Sequence, residues 1–511
     1  MQIPLNIPTV TAAPAQTERR ASARHRRDGH RFWPRVRRTL AIGALCALLP
    51  FTAGGQNQLP DFGDSASATL SPADERELGA YLMRQIRAQL TVVEDPEIEG
   101  FIQDLGYSLV SGASQGTTDF HFFVIADPTI NAFAIPGGYI GVHSGLITST
   151  DSESELASVM AHEMAHVTQR HIARAIAAAE GSQYATLAAV IAGILIGTQN
   201  SQAGQAAIAG ATAAGAQSQL NFTRTNEKEA DRVGIAMLAK AGYDPRAMPT
   251  FFEKLDTASR YYSRPPEFLS THPVTTSRIA DSRGRAEQYP YKQFADSTSY
   301  GLTRAKLRVL TTNNPARLLA SYEAELEEEK TGDRSPALYG RALVLARLGK
   351  TARASEELRK LIAAHPERVR FRVALAKQQL VSGGTKQALA TYHTAYGLFP
   401  DSKQVVHNYV DALLRTDKGE RALVILDDYS RLYAKNAALY RLEAEAFRLT
   451  GKVMSSRMAL AEYYYRTGEL NGAIHQLQLA SNEPDGDFYQ SSKLDARLKE
   501  LTAERDFLMR R

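Results

Sequence analysis

Apolar and polar residues first settle into a regular period near residue 71. Ser71 offers a capping hydroxyl, Pro72 suits the first helical position, and Asp74 and Glu75 put acids in the first turn, so a helix is predicted from there to about Leu90. A second helical stretch covers residues 96–111. Residues 120–125 alternate and are rich in Phe and Val, which predicts a strand. Residues 131–142 read as a strand, a Pro136-Gly137-Gly138 turn and a second strand, a hairpin-like pair. Ser152 and Glu155 have the spacing of a capping box, and the helix they open is predicted to run past His171. Another helix is predicted over residues 226–241, stopped by Gly242 and Pro245. Residues 184–220 differ, with an apolar piece at 187–196 and then a tract of Ala, Gly and Gln. That segment reads either as small-residue helices packed on the domain or as a mobile flap capable of peripheral membrane contact, its apolar piece being too short to span a bilayer.

From about residue 303 the pattern is helical throughout, with Ala, Leu, Arg and Glu dominant. Pro366 and Pro400 lie 34 residues apart, and Ala342 with Ala376, Gly349 with Gly383, and Ala354 with Ala388 match in the same register. Small residues at these places let the two helices of a hairpin approach, and the Pro ends the second, which is the tetratricopeptide pattern. Ala461, Gly468, Ala473 and Ala480 repeat the spacing, with a degenerate stretch before them. About four repeats with additional helices are expected over residues 303–511, stacked into a curved solenoid with a concave binding face. The fold class expected is therefore α+β and mainly helical: a mixed domain over residues 71–300, then an all-α repeat solenoid.

Charge changes the picture at one end only. The 511-residue chain carries a formal charge of +5, but residues 1–55 hold nine Arg, no Lys and only two acids. The rest has 51 basic against 53 acidic residues, which removes the case for a nucleic-acid partner. Residues 1–55 have the parts of an export signal: an Arg-rich stretch, an apolar run over 40–52, and Ala53-Gly54-Gly55, where cleavage is expected. Residues 56–70 follow as a flexible lead-in. The single Cys, Cys46, lies inside the leader, so the exported protein is expected to have no disulfide.

The chemistry concentrates in His162-Glu163-Met164-Ala165-His166. On a helix, positions i and i+4 share a face, so the two His residues can bind one ion. Glu163 is rotated by about 100° from His162, beside the metal, where it can take a proton from the attacking water and pass it to a leaving amine. Imidazole ligands without redox demand favour one zinc per chain, which needs a third protein ligand and an open position. Residues 226–231 supply candidates: Glu227 and Asp231 are also i, i+4 neighbours, so one carboxylate can complete the ligand set while the other holds a ligand His by its free ring nitrogen. Glu229 is expected to point to solvent, although spacing alone leaves the choice between Glu227 and Glu229 open. His171 follows His166 by five positions and is expected to leave the metal face; with His121 and His143 it reads as structural or solvated.

The His-Glu-x-x-His helix, the later Asn-Glu-x-x-Ala-Asp and the Asn-Ala-Phe-Ala-x-Pro-Gly-Gly hairpin together resemble the CAAX prenyl protease type of zinc metallopeptidase. With an export signal in front and repeats behind, the chain is similar to the periplasmic branch of that family devoted to beta-barrel assembly. The resemblance covers residues 71–290 well and the repeats more loosely. It implies that His162, His166 and Glu227 are ligands, Glu163 the catalytic acid/base, and Asp231 the partner of a ligand His. Ser270-Thr271-His272-Pro273, with Arg278 after it, is a further shared element. His272 can donate to the oxyanion of the tetrahedral intermediate, or fill the open zinc position at rest and be displaced by substrate; the resemblance makes the second role plausible. The hairpin, through Asn131, Ala132, Phe133, Gly137 and Gly138, is expected to bind substrate by pairing an edge strand with an extended chain. The expected function is a periplasmic zinc endopeptidase that degrades misassembled outer-membrane proteins and assists their assembly. Its repeats would dock the outer-membrane assembly machinery. The rival reading is a chaperone or assembly factor with a mostly silent protease site.

Overall fold

The computed structural model describes residues 70–112, 119–178, 213–261, 266–328 and 332–509. The expected leader, nearly all of the lead-in and residues 184–212 lie outside these. The architecture is α+β and mainly helical, as expected: one small sheet wrapped by helices, then a run of helical hairpins.

Helix α1 (Pro72–Gln89) opens with a reciprocal cap, in which the Asp74 N–H donates to Ser71 Oγ and the Ser71 N–H to the Asp74 carboxylate. After α2 (Pro96–Gly112) come strands β1 (His121–Ile125), β2 (Ala132–Ile135) and β3 (Tyr139–His143). β3 lies in the middle, parallel to β1 and antiparallel to β2, so β2 is an edge strand. The turn between β2 and β3 needs glycine, with φ of 79° at Gly137 and 83° at Gly138. It rests on α1 at Gly79, where an added Cβ would lie 2.0 Å from the Pro136 oxygen.

A short helix α3 (Ser144–Ser149) leads to α4 (Glu153–Thr168), capped by Ser152 accepting from the Glu155 N–H. Contrary to expectation, α4 does not run past His171. The chain breaks at Arg170, which has φ of 52°, and restarts as α5 (His171–Ala178). A left-handed Arg costs about 1–3 kcal/mol and persists only when its surroundings over-determine it. Here the Arg170 guanidinium donates to Glu75 Oε1 and to the Leu70 carbonyl, tying the break to the start of α1. Helix α6 (Ala213–Ala241) starts well before the expected residue 226 and stops at Gly242, with φ of 85°. Helices α7 (Ala247–Tyr261), α8 (Phe268–Thr271) and α9 (Thr276–Ala286) complete this body. Its core joins α2 (Ile98, Ile102), the sheet (Val124, Ile140) and α4 (Met160, Met164).

Helix α10 (Thr298–Thr311) serves both halves of the chain. Tyr300 and Leu307 belong to the first core, whereas Ala305 and Val309 pack with α11 (Pro315–Glu328) and Leu302 with Tyr339 and Phe371. Residues 300–303 therefore lie within a helix rather than in a linker. Four hairpins follow: α12 (Ser335–Arg347) with α13 (Thr351–Ala364), α14 (Val369–Val381) with α15 (Thr385–Leu398), α16 (Lys403–Leu414) with α17 (Gly419–Ser430), and α18 (Ala437–Leu449) with α19 (Val453–Thr467). Their turns hold a left-handed residue at 349, 383, 417 and 451, every 34 residues, with φ of 75°, 80°, 56° and 73°. The stretch read as degenerate keeps strict register; Asp417 hides it by standing where the others have Gly. The unit centred on Gly468 is out of register, because α19 also pairs with α20 (Leu470–Ala480), before the final α21 (Phe488–Met509).

The repeats are bound to the first body by an ionic cluster at the start of α2. Glu97 is buried and receives Lys306 at 2.8 Å, the Tyr339 hydroxyl at 3.0 Å, Arg370 at 3.2 Å and Gln404 at 3.3 Å, while Lys403 reaches Glu99 at 2.8 Å. Tyr339, Arg370, Lys403 and Gln404 of the repeats are thus engaged by the chain itself. Among the described residues no helix is long and apolar enough to cross a membrane.

Candidate metal centre

Residues 153–165 of α4 are all buried, so its polar members must find partners inside. His162 and His166 stand one turn apart facing α6, which brings Glu227 and Asp231, also one turn apart, against them. The donor ring of His162, His166 and Glu227 gains a fourth member in His272, which ends the one-turn helix α8, where its N–H donates to the Phe268 carbonyl at 2.8 Å.

These groups form a tight ring of donor atoms. Nε2 of His162 lies 3.1 Å from Nε2 of His166, 3.3 Å from Nδ1 of His272 and 3.4 Å from Oε2 of Glu227. Glu227 Oε1 lies 3.4 Å from His166 Nε2 and 3.1 Å from His272 Nδ1. One donor atom from each of the four lies within 4.8 Å of all the others. Ligands about 2.1 Å from a central ion in tetrahedral array are about 3.4 Å from one another, so the spacing and donor types fit zinc. The electrostatics agree. Burial opposes charge on His162, but Asp231 and Glu227 outweigh it and hold its pKa up at about 9. Burial and the neighbouring His162 charge keep His166 well below its usual value. Burial works against the Glu227 carboxylate too, yet His272 and His162 hold its pKa well below normal. Glu227 and Asp231 thus favour positive charge at the His162 side of the ring.

Glu163 sits beside the ring rather than in it. Its Oε1 is 3.4 Å from His272 Nε2 but makes no hydrogen bond. Burial lifts its pKa, with His272 and His162 pulling the other way. Asp231 Oδ1 is 3.0 Å from His162 Nδ1, the nitrogen turned away from the ring. Arg278 holds both acids: its Nε and Nη2 donate to Asp231 at 2.8 Å each, and its Nη1 lies 2.8 Å from Glu227. Its guanidinium also covers the Phe252 ring at 4.9 Å. In the sequence Arg278 stands only as part of a shared element, with no role attached to it. The available signal was two acids on one helix face, whose sequence neighbours Lys228 and Arg232 are exposed and fall on other faces.

Two expectations about the surroundings are corrected. His171 does not leave the site: the break at Arg170 turns it back, buried, with Nδ1 2.9 Å from Nδ1 of His166. Glu229 is not simply solvated; its Oε2 is 3.3 Å from His171 Nε2 and 2.9 Å from Arg174.

On the other side of Glu163 lies β2. The Ala134 backbone favours the charged form of Glu163, which puts the strand edge next to that carboxylate. Asn131, Ala132 and Phe133 are buried, with the Phe133 ring edge-on to Phe123 and His143. Gly137 and Gly138 belong to the turn seated on α1.

Known proteins are similar to this chain in sequence. Residues 96–286 match peptidase family M48. The chain is 35% identical over 462 residues to the beta-barrel assembly-enhancing protease of Escherichia coli (strain K12), an alignment covering 90% of this chain and 95% of that one. This chain belongs to the M48 family of beta-barrel assembly-enhancing proteases. The putative beta-barrel assembly-enhancing protease of Vibrio cholerae is 37% identical over 479 residues, covering 93% of this chain and 99% of that one. A shorter match, 34% identity over 190 residues, joins it to the mitochondrial metalloendopeptidase OMA1 of Schizosaccharomyces pombe, covering 37% of this chain and 52% of the relative. The family member described here is a zinc-dependent metalloendopeptidase with tetratricopeptide-type repeats.

Proposed function

We propose that this enzyme is a periplasmic endopeptidase that removes misassembled outer-membrane proteins and assists their assembly, with His162, His166 and Glu227 holding one zinc. The observation that carries the reading is the ring of donors at 3.1–3.4 Å with a buried, unpartnered carboxylate oxygen on Glu163 beside it. Bound zinc supplies a Lewis acid that polarises a peptide carbonyl and acidifies water. The chain's own residues do the rest. Glu163 takes the proton of the attacking water and returns it to the departing amine, a role suited to a carboxylate whose pKa burial has raised. Asp231 fixes His162 through Nδ1, and Arg278 fixes Asp231 and Glu227 together. The β2 edge, through Asn131, Ala132 and Phe133, aligns an extended substrate by its backbone.

His272 completes the donor set at rest and leaves it when substrate arrives; its 3.1 Å approach to Glu227 supports this over the oxyanion role. His272→Ala is then expected to keep zinc and to raise cleavage of an unfolded protein several-fold, with added self-cleavage. A loss of turnover at full zinc occupancy would assign His272 to the oxyanion instead. The periplasmic location and the outer-membrane substrates rest on the family and on the leader expected at residues 1–55. In cells lacking this protein, an outer-membrane barrel protein stalled in assembly should persist. Stripping the purified enzyme with a chelator should stop its cleavage of that barrel protein, and zinc should restore it. A zinc-loaded enzyme that leaves the barrel protein uncut would favour the assembly-factor reading.

A further inference from the structure

The site contains a second support that the mechanism above does not use. If His166 offers Nε2 to the donor ring, its proton sits on Nδ1. The atom facing that nitrogen is His171 Nδ1, at 2.9 Å. Two ring nitrogens at that distance share one proton, so His171 Nδ1 must be bare and its own proton must lie on Nε2. There it meets Glu229 Oε2 at 3.3 Å, an oxygen anchored in turn by Arg174 at 2.9 Å. Each tautomer is thus fixed by the next partner, and the chain ends on a charged pair at the rim. The arrangement mirrors the other ligand, where Asp231 backs His162 and Arg278 backs Asp231.

We propose that His171 and Glu229 are positioning residues for His166, a relay that fixes the tautomer and orientation of one zinc ligand through its outward nitrogen. The relay exists because of the helix break. In an unbroken helix a residue five positions on is rotated by about 140° and cannot meet its predecessor's ring. The left-handed Arg170, tied to Glu75 and the Leu70 carbonyl, brings His171 back over His166 with the two rings 4.8 Å apart. Outer partners of this kind typically contribute 10–100-fold in metal affinity.

The inference rests on His166 being a ligand, and the test separates the two. The full chain is stripped of metal, and zinc affinity is measured by competition with a chromophoric chelator. The melting temperature of each zinc-free form is recorded alongside. His171→Leu keeps volume and removes the acceptor, and about a 10–100-fold loss of zinc affinity is expected. His171→Asn keeps an acceptor oxygen near the position of Nδ1 and should recover most of the loss despite its smaller size. A role in packing alone predicts the reverse order, with Leu the better substitute. Glu229→Ala lies at the rim, should fold normally, and should weaken zinc several-fold. Wild-type affinity in both His171→Leu and Glu229→Ala overturns the relay, as does an Asn variant no better than Leu. If His171→Leu does not fold, Glu229→Ala and His171→Asn decide the matter. His166→Ala is the control: zinc affinity unchanged in that variant would remove the ligand assignment itself rather than the relay.

Discussion

Glu163→Gln should reduce peptide hydrolysis by at least about 10³-fold in kcat while leaving zinc affinity and KM close to the parent values. A positioned acid/base contributes about 10²–10⁴-fold, and this residue is expected to serve twice, once on the attacking water and once on the leaving amine. The substitution separates chemistry from architecture because Glu163 lies beside the donor ring rather than within it. Its Oε1 accepts no hydrogen bond and its surroundings are buried, so a neutral amide of the same shape fits without an unpaired charge. Stability should hold or rise slightly. The measurement is turnover of a quenched fluorescent peptide alongside zinc content for the same preparation. Turnover within tenfold of the parent at full zinc occupancy would move the acid/base role to another group.

How much of this site could be read along the chain depended on whether the relevant contacts were local. His162 and His166 share a helix, as do Glu227 and Asp231, so helical spacing alone put each pair on one face. Joining the pairs needed the family resemblance, because nothing local says that two helices whose His162 and Glu227 stand 65 residues apart meet. Helical periodicity misplaces His171 because it presumes a continuous helix, whereas the break at Arg170 is held by Glu75, 95 residues away. Glu229 is misplaced for the same reason, since its partner is His171. In the repeats, the turn positions 349, 383, 417 and 451 are equally spaced, but Asp417 carries a left-handed backbone that sequence patterns assign to Gly. Arg278 was visible as a letter, yet its function appears only when Asp231 and Glu227 are seen on either side of one guanidinium.

The contact least legible in sequence should have the largest effect on stability. Lys306 lies 209 residues from Glu97, yet its Nζ sits 2.8 Å from Glu97 and 2.7 Å from Asp95, inside the seam between the two halves of the chain. Lys306→Ala would leave Glu97, only 3% exposed, with weaker support from Arg370 and Tyr339. Removing one partner of a buried ion pair costs about 3–5 kcal/mol, because the remaining charge stays desolvated. Helix α10, which carries Lys306, is part of both cores, so peptidase and repeats should unfold together at lower urea. The pH dependence gives the sign. Burial raises the Asp95 pKa, but Lys306 more than reverses this and leaves it below its usual value. A depressed carboxylate contributes stability above its unfolded pKa of about 3.9 and loses it as pH falls through the folded value. The Lys306 pKa is raised, so its share is complete below about pH 10.4 and is lost only at still higher pH. The gap between parent and variant in urea midpoints should therefore be flat from about pH 5 to 9 and shrink below about pH 4. A gap that stays constant into acid would mean that Lys306 acts through its alkyl stem, and the seam would then be held by packing rather than by charge.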